Sequence, residues 1–162
     1  MNWLIHKLFF LLFFLYSGFI FSQSKIETYL KPADTLNKTR LKTVIITESA
    51  LASAALIGLS ELWYSNYSKS SFHFINDNSE WLQMDKMGHV FSSYHMGQAG
   101  AAALQWSGVS KNKQFIYGST LGFAFLSVVE VFDGYSSEWG ASSGDIVANA
   151  TGTTLFVAQE LF

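Results

Sequence analysis

Apolar residues in this chain come in long runs separated by short polar breaks. The first run, Leu8 to Phe21, holds 14 residues without a charge and follows Lys7. That is the length of a signal-peptide core and falls short of the ~20 residues a spanning helix needs. Small residues at Gly18, Ser22 and Ser24 allow cleavage nearby, so residues 1–22 read as a signal peptide and the mature chain as exported. Residues 23–39 are polar, contain the only proline, Pro32, and read as a linker. From residue 40 onward the pattern predicts four helices, over 40–64, 84–106, 115–132 and 145–162, the last still apolar where the sequence stops. No stretch alternates with period two over a useful length, so the expected fold is an all-α bundle of about four helices.

Two of these segments are apolar enough to ask whether the bundle lies in lipid. Val44 to Leu59 carries one charge, Glu48, and 115–132 carries one, Glu130. Trp63, Tyr64 and Tyr67 follow the first segment, as an aromatic belt at a membrane surface would. Packing in a core explains them equally well. Gly118 and Gly122 stand in G-x-x-x-G spacing, and Gly97–Ala101 and Ala99–Ala103 continue the small-residue theme that lets helix backbones approach. Against lipid stand Glu48, Glu61 and Glu130, since a mid-bilayer charge costs about 2.5–3.5 kcal/mol on insertion scales. The balance favours a bundle embedded in or attached to the membrane, with a soluble periplasmic bundle as the alternative.

Composition narrows the function. Charged residues are 14% of the chain and aromatic ones 17%, against about 25% charged in an ordinary soluble domain. Such a chain is not disordered. It has no cysteine, which excludes disulfides, thiolate metal sites, a cysteine nucleophile and a cysteine-linked lipid within this sequence. A net charge of −2 supplies no basic surface for nucleic acid.

In helices this poor in charge, the few ionisable residues are informative. Asp85 and His89 are four apart and share a helix face. Such a pair can share a cation, or the Asp can hold the imidazole's tautomer. An Asp favoured by the helix dipole is the plainer reading. Glu130 and Asp133 sit at a helix C-terminus, where acidic groups oppose the dipole and call for a cation, protonation or a partner such as Lys86. Ser142 and Asp145 form an S-x-x-D capping pattern. Asn149, one turn beyond Asp145, lies in an apolar helix and must hydrogen-bond something. Antiparallel packing with short connections brings Asp85, Lys86, His89, Glu130, Asp133, Asp145 and Asn149 to one end of the bundle. An imidazole among carboxylates suits a divalent cation, with Asp85, His89, Glu130 and Asp145 as its ligands. It also suits general acid/base chemistry with His89 as proton carrier, or a network of interhelical ties.

The run D-K-M-G-H at 85–89 with Tyr94, then E-V-F-D-G at 130–134, then W-G-A-S-S-G-D-I-V-A-N-A-T-G at 139–152, resembles the YfiM-like predicted envelope lipoproteins. It is similar, more distantly, to the VanZ-like membrane proteins. The resemblance spans roughly 84–160. It implies a helical protein of the bacterial cell envelope with Asp85, His89, Tyr94, Glu130, Asp145 and Asn149 at motif positions, and implies no settled activity. Three functions follow as expectations. The first is binding of a cation, lipid head group or envelope precursor at the polar end. The second is a metal-dependent hydrolase or transferase acting on a lipid-linked phosphate, which the single arginine, Arg40, weakens. The third is a structural or partner-binding membrane protein.

Overall fold

Asn37 starts the first long helix by accepting a hydrogen bond from the backbone N–H of Arg40 at 3.0 Å. In the computed structural model, which describes residues 26–161, this helix, α1, spans Lys38–Leu62. Three more follow: α2 (Met84–Trp106), α3 (Lys111–Gly134) and α4 (Ser143–Leu161). The expected all-α bundle is the observed one. The signal-peptide reading of 1–22 lies outside the described residues. Contacts divide the chain at Pro32; in the first unit, residues 26–30 are helical.

Helices α2, α3 and α4 pack through small residues. A Cβ on Gly118 would lie 2.3 Å from the backbone N of Ala101, and one on Gly152 would lie 2.2 Å from the carbonyl of Val90. Only hydrogen fits at these crossings, so the helices approach at backbone distance. Gly97 meets Ser119, and Gly122 meets Ser93. The pair Ala99–Ala103 is not part of this seam, since Ala99 is exposed. Phe156, Phe115 and Ala101 fill the far half of the bundle, with Tyr94 and Val157 against them.

Helix α1 is different. Its two ends are tied down, Arg40 Nη1 donating to the carbonyl of Trp106 at 3.1 Å and Tyr64 Oη to Asp133 at 2.6 Å. Between them only Val44 is buried. Both Lys38–Asn66 and Lys111–Gly134 are long and apolar enough to cross a membrane.

At many positions outside the cluster of Phe156, Phe115 and Ala101 the usual distribution is inverted. Leu51, Phe91 and Val147 are about two-thirds exposed, whereas Ser93, Ser119, Glu130, Asp145 and Asn149 are all 3% exposed or less. The α2–α3 turn contains Gly108, whose φ of +75° suits a residue without a side chain.

The connections at the other end are stitched together. Phe74–Ile75 (β1) pairs in parallel with Ala141–Ser142 (β2), Phe74 opposite Ala141 and Ile75 opposite Ser142. A bridge from Lys69 to Ser136 and a hydrogen bond from His73 N to the carbonyl of Gly134 at 3.0 Å continue the seam. The sequence pattern predicts no strand here, because two residues are too few to show alternation. The consequence is positional: the 63–83 connection is pinned across the mouth of the bundle.

Candidate cation site

The start of α2, the end of α3 and the start of α4 share one end of the bundle, and their polar residues converge there. His89 is the hub. Its Nδ1 lies 2.9 Å from Asn149 Oδ1. An amide oxygen only accepts, so Nδ1 is the donor of this pair and Nε2 is the ring atom left for the cavity. Nε2 faces Asp85 Oδ1 at 3.8 Å and Glu130 Oε1 at 3.6 Å. Both distances exceed a hydrogen bond.

Glu130 is oriented from behind. Its Oε2 accepts the backbone N–H of Ser142 at 2.8 Å, which leaves Oε1 turned toward His89. The side chain is buried on a strongly apolar helix, so β2 is what makes its position tenable. Asp133, one turn on, accepts from Tyr64 Oη.

Lys86 pairs elsewhere than expected. Its Nζ lies 2.7 Å from Asp77 Oδ1 and 3.1 Å from Asp145 Oδ1, and it serves neither Glu130 nor Asp133. Ser142 completes this cluster. Its hydroxyl donates to Asp77 Oδ1 at 2.7 Å and accepts from the backbone N–H of Asp145 at 3.2 Å, the capping contact expected from the S-x-x-D pattern. Burial pushes the Asp77 carboxyl up, but the Lys86 ammonium and the Ser142 hydroxyl outweigh it and hold the group below the usual aspartate range.

Of the residues singled out in the sequence, Asp85, His89, Glu130, Asp133 and Asp145 line one cavity of about 650 Å³. Asn149 and Lys86 support it from behind. Tyr94 is not in it: its hydroxyl meets Gln159 and its ring packs on Phe156, further along the bundle. The sequence reading missed Asp77, which no periodicity marks, and the place of the tryptophans at this site. Trp63 stacks on Trp139 with centroids 5.8 Å apart, and Tyr67 meets Trp139 edge-on at 4.4 Å. Both indoles line the cavity, with Trp81 at its rim.

Six carboxyl groups and one imidazole face this space, and the Lys86 ammonium engages Asp77 and Asp145 closely and Asp85 at 4.0 Å. The excess of negative charge attracts cations and repels phosphate. One donor atom from each of Asp85, His89 and Asp145 lies within 4.8 Å of the other two. Donors about 2.0–2.2 Å from a shared ion sit only slightly closer together than the His89–Glu130 and His89–Asp85 distances seen here. The backing of His89 by Asn149 and of Glu130 by Ser142 is the outer-shell support that metal ligands require.

A family model described as predicted periplasmic lipoprotein (DUF2279) matches residues 73–160. The chain belongs to that family. The DUF2279 match begins at β1 and takes in every group in the hub, so the family segment and the polar end coincide. It places the protein in the bacterial cell envelope, exported from the cytoplasm, and assigns no activity. No curated protein and no solved structure matches the chain.

Proposed function

We propose that this DUF2279 protein is a membrane-embedded helical bundle that binds one divalent cation at its polar end. Asp85, His89, Glu130 and Asp145 are the ligands. The observation that carries the reading is His89 Nε2, its ring held by Asn149, standing 3.6 and 3.8 Å from two carboxylates, beyond hydrogen-bond distance. A hydrogen-bonded tie would close these gaps; an ion fills them. Kinship with YfiM-like and VanZ-like proteins belongs to the same reading.

The membrane setting rests on the inverted distribution. Large apolar side chains face outward while serines, glycines and an asparagine line the helix crossings, the pattern of a bundle packed by small and polar residues in lipid. Helix α1 is 25 residues long, about 38 Å at 1.5 Å per residue, enough for a ~30 Å hydrocarbon core. The carboxylate excess argues against a lipid-linked phosphate as substrate, and favours a neutral or cationic head group or precursor beside the ion.

Titration calorimetry with Mn²⁺ on the detergent-solubilised protein tests the site. The reading expects one ion per chain, and affinity at least tenfold lower in His89→Ala and Glu130→Gln. Equal affinity in both variants would end it. For the membrane setting, the cysteine-free sequence allows single labels. Leu51→Cys in native membranes resists a water-soluble maleimide, while Leu36→Cys reacts; equal reaction of both contradicts embedding.

A further inference from the structure

The chain enters α2 through a strained turn. Trp81, Leu82 and Gln83 have φ of +48°, +50° and +60°, three successive side-chain-bearing residues in the left-handed region, where each is disfavoured. The same turn exposes what it would be expected to hide. Trp81 lines the cavity yet is 82% exposed, and Leu82 is 94% exposed. Strained backbone and uncovered apolar side chains coincide beside the polar end, as they do where a second conformation is used.

The turn is anchored on both sides by the site itself. Upstream, Asp77 is held by Lys86 and Ser142. Downstream, Asp85 and His89 follow within two helical turns, and Met84, the first residue of α2, also lines the cavity. Asp85 is the half-exposed member of the ligand set, its Oδ1 3.8 Å from His89 Nε2. Drawing it onto a shared ion pulls directly on Gln83.

We propose that Trp81–Gln83 is a gate, open in the form described here and closed over the cavity when the cation is held. This rests on the cation reading above. Closure lays the Trp81 indole against the wall formed by Trp63 and Trp139, covers Leu82 and lets the backbone leave the left-handed region. The cation thereby controls entry to the remainder of the 650 Å³, far more room than an ion occupies.

The test uses the full chain carrying Leu82→Cys, with free Mn²⁺ followed by its electron-spin signal in the same sample. The expected result is a tenfold or greater fall in maleimide labelling at saturating Mn²⁺, abolished when His89→Ala is added. Mn²⁺ that binds without changing the labelling rate overturns the gate and leaves the site standing. A cysteine that is unreactive with and without Mn²⁺ overturns it in favour of a turn buried in lipid. Absence of Mn²⁺ binding removes both site and gate. A second variant, Leu82→Gly with Gln83→Gly, makes the open turn unstrained. It should bind Mn²⁺ about tenfold more weakly; unchanged affinity contradicts the gate.

Discussion

His89 and Asn149, sixty positions apart, meet at 2.9 Å through Nδ1 and Oδ1, and this contact decides which face of the imidazole serves the cavity. Asn149→Ala frees the ring to change tautomer and rotate. Outer-shell partners of this kind are worth about 10–100-fold in metal affinity. Calorimetry should show a Mn²⁺ loss in that range while the helical circular dichroism is retained. An unchanged affinity would mean that the ring is held by something else.

Lys86 neutralises two carboxylates that are almost out of solvent, Asp77 and Asp145. Removing one partner of a buried pair leaves an uncompensated charge and costs about 3–5 kcal/mol. Lys86→Met should therefore lower the unfolding midpoint strongly. Mn²⁺ should restore more stability to this variant than it adds to the wild type, because the ion replaces the lost positive charge beside Asp145. Thermal unfolding with and without Mn²⁺ checks both halves.

Glycines here have two fates. At Gly118 and Gly152 an added methyl meets backbone atoms at 2.3 and 2.2 Å, and overpacking of that kind costs about 1–3 kcal/mol. At Gly58 nothing lies within 4 Å, so alanine there keeps its helix preference, worth up to about 1 kcal/mol. Gly118→Ala and Gly152→Ala should destabilise the bundle, and Gly58→Ala should be neutral or stabilising. Denaturant midpoints in one detergent would order the three.

The pairing of Asp77 with Lys86 predicts a pH limb. A carboxyl whose folded value lies below its unfolded one contributes stability above the unfolded value, about 3.9, and loses it as pH falls through the lower folded value. Asp77→Asn should be less stable than wild type at neutral pH, and the difference should shrink as pH falls from about 4 to 2. Unfolding midpoints across that window test it; a constant gap would remove the ion pair as the cause.

Much of this end of the molecule was legible in the sequence. Asp85 and His89 are one turn apart, Glu130 interrupts an apolar run, and Ser142 precedes Asp145 by three; each is a local signal that short connections carry to the same place. The contacts that tune the site were not legible. Asp77 lies in a serine- and asparagine-rich stretch that reads only as a loop, and its value depends on β1 meeting β2, a two-residue pairing between segments 67 positions apart. The partner of Lys86 was misassigned for the same reason. Tyr94 followed the motif in sequence but faces Gln159 further along the bundle, because the positions around it on α2 are committed to packing against α3 and α4. The left-handed turn at 81–83 has no glycine to announce it.

Pulsed electron-spin resonance of Mn²⁺ bound to the purified protein reads its ligands directly. The account predicts modulation from one directly coordinated imidazole nitrogen, lost in His89→Gln and kept in Tyr94→Phe. Bound Mn²⁺ with no nitrogen coupling, or a coupling that survives removal of His89, would contradict it.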